Sequence, residues 1–133
     1  MLITSCGNSE KLARSVARKL HVPYSPLTLS TFPDGDIYLK FNANVKGKKL
    51  VIIQSFHPDS EKSFFNVLFA AETAKDLGAT KVILVAPYLA YMRQDKRFHP
   101  GEAISSRVMA KHLNMCLDKI ITIDPHLHRY RSL

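Results

Sequence analysis

Residues 81–106 read KVILVAPYLAYMRQDKRFHPGEAISS, and this stretch indicates how the fold is built. Residues 82–86 form a short apolar, β-branched run typical of a buried strand, and Pro87 ends it because proline cannot donate to a sheet ladder. A long polar loop follows over residues 88–101, where most such connections need only a few residues. Ile104 and Val108 then begin a helical pattern. We therefore expect a charged loop at the carboxyl end of a strand, where open α/β sheets bind ligands.

The rest of the chain alternates predicted strands and helices. Strand patterns occur at residues 2–5, 28–32, 37–41, 50–53 and 120–123, and helical patterns at 12–20, 60–77 and 104–117. Residues 33–36, PDGD, form a turn between the second and third strands, which predicts an antiparallel hairpin. The predicted fold is therefore α/β, with a mostly parallel sheet flanked by helices and an inserted β-hairpin. Because no helix follows the last strand, we expect residues 1–133 to be one domain of a two-domain protein.

Composition narrows the possible partners and the compartment. Hydrophobic residues make up 46% of the chain and charged residues 23%, as in ordinary soluble proteins, but the net charge of +8 is unusual. This charge favours an anionic partner, namely a phosphorylated metabolite, a nucleic acid or a membrane surface. Cys6 and Cys116 have neither metal-binding nor redox spacing, which indicates reduced thiols. With no signal-peptide pattern and no run of membrane-spanning length, we expect a cytoplasmic protein.

Two loops carry side chains suited to nucleotide binding. In the turn, Phe32 could stack on a base while Asp34 and Asp36 accept hydrogen bonds, although any hairpin turn uses the same residue types. The RQDKR run from Arg93 to Arg97 offers guanidinium groups that match phosphate oxygens two at a time. A solvated loop with incidental charge is the alternative for this second segment.

A third loop, DPHLH at residues 124–128, follows the last strand. Asp124 and His126 could converge on a divalent cation, or the histidine could donate to a phosphate. A zinc site built on His126 and His128 lacks further ligands in the sequence. The chain contains no GxxxxGKS loop, GxGxxG fingerprint or GxSxG elbow, so any nucleotide would be bound by another scheme.

Taken in order, these segments resemble the amino-terminal half of the ribose-phosphate pyrophosphokinase family, also called phosphoribosyl pyrophosphate synthetases. The matching stretches are FPDGDIYLKF, NANVKG, VIIQS, VAPYLAYMRQDKR, PGEAISS and IITIDPH. The resemblance extends from residue 32 to residue 126, and PGEAISS is similar to the archaeal-type branch. It implies a phosphoribosyltransferase-like domain of a two-domain synthetase whose second domain is absent from this chain.

The resemblance also implies an activity and roles for individual residues. Family members transfer the diphosphoryl group of ATP, bound with Mg²⁺, to the 1-hydroxyl of ribose 5-phosphate. Within a homo-oligomer, the turn residues would hold the adenine bound to a neighbouring subunit; these residues are Phe32, Asp34, Gly35 and Asp36. Arg93 and Gln94 would contact the nucleotide of their own subunit, and His126 would approach the phosphates and Mg²⁺.

The chain departs from the family pattern at two positions and lacks the family's second half. Asp36 stands where glutamate is usual and is shorter by one methylene, and Pro125 changes the usual DLHA sequence before His126. The flexible catalytic loop and the ribose 5-phosphate loop belong to the second half. We therefore expect no catalytic residue in this chain and no turnover by the chain alone.

Two other functions are possible on the sequence alone. One is a non-catalytic, regulatory homologue, which only the second half could distinguish from an enzyme. The other is a basic nucleic-acid-binding domain, which is disfavoured because the positive charges are dispersed and no RNA-reading motif is present. We expect neither a nucleic acid nor a membrane as partner.

Overall fold

A computed structural model describes residues 1–127 of the chain, with six strands and three helices in this part. The strands are β1 (Leu2–Thr4), β2 (Leu27–Thr31), β3 (Ile37–Phe41), β4 (Lys49–Ile53), β5 (Lys81–Ala86) and β6 (Lys119–Thr122). The helices are α1 (Glu10–Lys19), α2 (Ser60–Asp76) and α3 (Ser105–Cys116).

The main sheet is parallel and has the strand order β1-β4-β5-β6, while β2 and β3 form a separate antiparallel hairpin. These observations confirm the predicted α/β fold with its inserted hairpin. The first hairpin strand ends one residue earlier than predicted, so Phe32 lies in the turn rather than in the strand. This places its ring beyond the last paired residue, Thr31.

The chain adds its segments to both sides of β1, and the point where it changes side is a switch point of the parallel sheet. After α1, the Ile3 N–H donates to the Pro23 carbonyl, and the Ser25 N–H donates to the Ile3 carbonyl, each at 3.0 Å. Residues 23–25 therefore border β1 on its outer side, whereas β4, β5 and β6 follow on its inner side. Crossover connections between parallel strands are right-handed. A helix that leads to a strand on one side of β1 therefore covers the opposite face of the sheet from a helix that leads to a strand on the other side. The switch point lies between β1 and β4, a position where α/β sheets commonly form a crevice.

Two hydrophobic clusters cover the two faces of the sheet. The larger one contains Leu50, Val82 and Leu84 from the strands together with apolar residues of α2 and α3. The hairpin packs its half-buried apolar side chains on this cluster. On the opposite face, Ile3 and Ile53 pack against α1. The alternation of side chains along each strand thus divides the core between the two layers.

The α1 face of the sheet is open near β6. Ile121 pairs in register with Val85, which packs on the α1 cluster, yet Ile121 is 44% exposed. Ile123, just beyond the strand, is 70% exposed. Two isoleucines on one edge of a sheet are thus in contact with solvent.

The helices of the described part offer no membrane-spanning segment, because none is both long enough and apolar enough.

Candidate functional site

The connection from β5 to α3 is anchored at the carboxyl end of the sheet. Its apolar residues Leu89, Ala90 and Met92 are buried, and so is Asp95, which is only 3% exposed. The Tyr88 carbonyl accepts a hydrogen bond from a backbone N–H of the β4–α2 connection at 3.0 Å. The segment predicted as a polar loop therefore presents charged side chains from a partly buried backbone.

Hydrogen bonds from the start of α3 hold this connection near its middle. The Ser105 hydroxyl donates to Gln94 Oε1 at 2.5 Å. The Gln94 carbonyl accepts from the Ser106 hydroxyl at 3.1 Å and from the Ser106 N–H at 3.3 Å. Both the backbone and the side chain of Gln94 are therefore attached to the helix.

The outer part of the connection closes on Glu102. Its carboxylate accepts hydrogen bonds from the N–H groups of Phe98 and His99, at 2.9 and 3.0 Å, and pairs with the His99 ring at 2.7 Å. The His99 ring is the largest of the causes that hold the pKa of Glu102 below its ordinary value. Arg97 Nε donates to the Glu102 carbonyl at 2.7 Å. These contacts order the segment that carries the charged side chains.

Tyr91 has an unusual backbone conformation at the base of the connection. Its φ is +65°, in the left-handed region that side-chain-bearing residues seldom adopt. The Tyr91 hydroxyl donates to Glu61 Oε1 on α2 at 2.8 Å. Burial, followed by this hydrogen bond, raises the pKa of Tyr91, and the same bond lowers the pKa of Glu61.

Two depressions meet at Arg93. One has a volume of about 180 Å³ and joins the connection to the loop after β6; its lining includes Tyr88, Met92, Arg93, Asp124 and His126. The other, of about 310 Å³, is lined by Tyr88, Tyr91, Arg93, Gln94 and Ser105. The fold thus places Arg93, Gln94 and His126, which lie on two separate loops of the sequence, along one rim of the sheet.

The hairpin turn is exposed and lines neither depression. Phe32 is 51% exposed and packs edge to face on Tyr38, with ring centroids 5.8 Å apart. The Phe32 N–H donates to the Asp36 carbonyl at 2.8 Å, and the Asp36 N–H donates to Asp34 Oδ1 at 3.3 Å. Gly35 has a φ of +95°, which suits glycine in such a turn. Within one chain, therefore, the four turn residues form a group of their own.

A third cleft, of about 280 Å³, lies at the switch point beneath the hairpin. Its floor contains Gln54, which is 1% exposed and accepts from the Cys6 N–H at 3.1 Å. Gln54 Nε2 donates to Asn8 Oδ1, to the Ser55 carbonyl and to the Ser63 hydroxyl. We did not predict this network from sequence; its one signal is a glutamine directly after an apolar strand.

The side chains at the rim suit a magnesium ion that is coordinated mainly by water and by the phosphates of a bound ligand. Among residues 1–127, no group of three or more His, Cys, Asp or Glu side chains could hold a metal by itself. Asp124 and His126 line the smaller depression, and protein-bound Mg²⁺ usually takes one or two carboxylates together with water and substrate phosphates. His128, the second histidine of the possible zinc pair, lies outside the described residues.

Comparisons with known proteins agree with this architecture. The protein-family model described as the N-terminal domain of ribose phosphate pyrophosphokinase matches residues 1–116. Ribose-phosphate pyrophosphokinase of Methanothermobacter thermautotrophicus is 38% identical over 126 residues, covering 94% of this chain and 44% of the relative. The Methanopyrus kandleri protein of the same name is 32% identical, covering 95% of this chain and 43% of the relative.

A solved structure extends the comparison to three dimensions. The phosphoribosylpyrophosphate synthetase of Mycobacterium smegmatis superimposes with a TM-score of 0.86 at 30% identity, over 96% of this chain and 43% of that protein. This chain spans less than half the length of the curated relatives that it matches. The chain therefore belongs to the ribose-phosphate pyrophosphokinase family and corresponds to the amino-terminal domain of its members.

Proposed function

We propose that this chain is the nucleotide-binding, amino-terminal domain of a ribose-phosphate diphosphokinase. The whole protein would transfer the diphosphoryl group of MgATP to the 1-hydroxyl of ribose 5-phosphate and form phosphoribosyl pyrophosphate. The observation that carries the proposal is the position of Arg93 between two depressions, one lined by Gln94 and the other by His126. The names of the family's members support the reaction.

The rim is chemically suited to a polyphosphate. The Arg93 guanidinium can donate two parallel hydrogen bonds to phosphate oxygens, and His126 can donate a further one. Asp124 and His126 would face the ion, and Mg²⁺, when bound, would offset the negative charge of the phosphates. Phosphoryl transfer depends mainly on positioning and charge stabilisation, so these residues would orient the nucleotide for attack by the sugar.

In a homo-oligomer, the hairpin turn of this chain would contact the nucleotide bound to a neighbouring subunit. Phe32 would stack on the adenine, while Asp34, Gly35 and Asp36 would contact its polar edge. Phe32 is exposed and lines neither depression of its own chain, which supports a contact of this kind. Asp36 would still accept hydrogen bonds there, at a reach one methylene shorter than the glutamate usual in the family.

The proposal further places the catalytic and ribose 5-phosphate loops in a second domain, so that the chain by itself binds nucleotide but does not turn over. We also propose that the protein is cytoplasmic. The two buried cysteines, Cys6 and Cys116, form no disulfide bond within the described part, which agrees with a reducing compartment.

The test combines two measurements. Calorimetric titration of the 133-residue chain with MgATP should detect binding that Arg93→Ala weakens, whereas assays with ATP and ribose 5-phosphate should detect no product. The full-length protein should form phosphoribosyl pyrophosphate in the same assay. Product formation by the chain alone would contradict the assignment of catalysis to the second domain. A folded full-length protein without activity would instead identify a regulatory homologue.

A further inference from the structure

We propose that Ser105 is a positioning residue that orients the Gln94 carboxamide and thereby makes the larger depression selective for hydrogen-bond acceptors. The inference rests on the proposed function, since it concerns how Gln94 meets the nucleotide.

The geometry attaches Gln94 to α3 at two points. The Ser105 hydroxyl donates to Gln94 Oε1 at 2.5 Å, while Ser106 holds the Gln94 carbonyl through its hydroxyl and its N–H. Ser106 is fully buried, and Gln94 and Ser105 are half-buried at the edge of the depression. The backbone of Gln94 is thus held by one serine and its side chain by the other.

The contact decides which end of the carboxamide remains available. A glutamine side chain has one oxygen that accepts hydrogen bonds and one NH₂ group that donates them. Because Ser105 occupies the oxygen, the NH₂ group is left for a ligand. Gln94 and Arg93 line the same depression, and a guanidinium can only donate. This wall therefore presents donors, which match phosphate oxygens or the acceptor nitrogens of a base.

The position of Ser105 argues that its hydroxyl is used for this contact rather than for capping. A serine at the start of a helix ordinarily accepts a hydrogen bond from a free N–H of the first turn. Here Ser105 is the first residue of α3, the preceding N-cap residue is Ile104, and no side chain caps the helix there. The hydroxyl instead points to the connection that carries Gln94.

Removal of the hydroxyl should allow the carboxamide to rotate by half a turn. Its oxygen would then face the depression for part of the time and repel phosphate oxygens. Threonine at the same position keeps a hydroxyl on the β-carbon and should preserve the orientation. Loss of one neutral hydrogen bond corresponds to a weakening of about fivefold.

The experiment compares three variants of the 133-residue chain, Ser105→Ala, Ser105→Thr and Ser60→Ala. Ser60 is a matched control because it is the first residue of α2, its hydroxyl donates to the Phe56 carbonyl at 3.0 Å, and neither residue lines the depression. Each variant is titrated with MgATP while the side-chain amide signals of the two glutamines, Gln54 and Gln94, are followed by ¹⁵N NMR.

We expect Ser105→Ala to bind MgATP about fivefold more weakly and to alter the Gln94 amide signals even without nucleotide. Ser105→Thr and Ser60→Ala should behave like the unmodified chain. Unchanged binding and unchanged Gln94 signals in Ser105→Ala would overturn the inference alone, as would equal weakening by Ser60→Ala. Absence of MgATP binding by the unmodified chain would overturn the proposed function, and the inference with it.

Discussion

Arg93 is the side chain on which the proposed function depends most. It is exposed, it borders both depressions, and its neighbour Gln94 is held in place by α3. A guanidinium binds phosphate as a planar fork, whereas a lysine would provide only a point charge. The identity of this residue should therefore affect nucleotide use beyond the effect of its charge.

We predict that Arg93→Ala in the full-length protein lowers kcat/KM for ATP by roughly 10- to 100-fold, because a hydrogen bond to a charged group contributes about 1.5–3 kcal/mol. Steady-state kinetics with varied MgATP measure the effect. Arg18→Ala, at the end of α1 on the opposite face of the sheet, is the control and should change little. Unaltered kinetic constants in Arg93→Ala would count against the assignment.

The Tyr91–Glu61 contact leads to a prediction about pH. Burial and the hydrogen bond to Glu61 raise the pKa of Tyr91, so the folded state holds the phenolic proton more tightly than the unfolded chain does. The contribution of the protonated Tyr91 to folding stability is complete below the ordinary phenol pKa, and it is lost as the pH rises through the raised pKa of Tyr91 in the folded state. Ultraviolet titration should show a late-ionising tyrosine signal, which Tyr91→Phe removes.

Glu61→Gln should lower the pKa of Tyr91 towards its ordinary value, since two of its three causes involve this carboxylate. Glu10→Gln, on α1, removes a carboxylate far from Tyr91 and serves as the control. If both variants titrate alike, the hydrogen bond does not perturb the phenol.

At the scale of secondary-structure elements, Gln54 joins three pieces of the fold. Its side chain bonds the loop after β1, its own strand end and the first turn of α2. The hydrophobic core cannot supply this connection, because the carboxyl ends of β1 and β4 leave polar backbone groups to be satisfied. The network therefore pairs backbone groups at these strand ends and links β1, β4 and α2 at the switch point.

We predict that Gln54→Ala destabilises the chain by about 3 kcal/mol, since it leaves a cavity and an unpaired Cys6 N–H in a buried position. Urea unfolding followed by circular dichroism gives the free energy of unfolding. Asn114→Ala, at an exposed position of α3, should change it by less than about 0.5 kcal/mol. A loss of the same small size in Gln54→Ala would show that the network adds nothing to stability.

At the scale of the whole molecule, we expect the proposed second domain to cover the sheet face that is open near β6. The relatives are more than twice as long as this chain, and Ile121 is 44% exposed. We predict that Ile121→Thr changes the free energy of unfolding of this chain by less than about 0.5 kcal/mol but destabilises the full-length protein by more than about 1 kcal/mol.

Leu12→Gln is the matched control, because Leu12 is equally exposed, at 44%, on α1. It should have the same effect in the chain and in the full-length protein. If Ile121→Thr also has equal effects in both, the second domain does not cover this part of the sheet.

Much of the fold is determined by local sequence patterns. β-branched runs predict β4 and β5 because buried strands need apolar side chains on both faces, and the PDGD turn predicts the hairpin through its backbone preferences. The long polar connection after β5 can also be read from the sequence, and two depressions lie along it. These signals can be read from sequence because each depends only on neighbouring residues.

The tertiary structure alone decides which separate segments meet. Arg93 and His126 share a depression because β5 and β6 are adjacent parallel strands whose carboxyl ends face the same edge. The Gln54 network exists because β4 pairs with β1, across the switch point that residues 23–25 create. Ser105 reaches Gln94 because the connection folds back on α3. The strand order and its switch point bring these groups together, and neither is encoded in the local periodicity of hydrophobic residues.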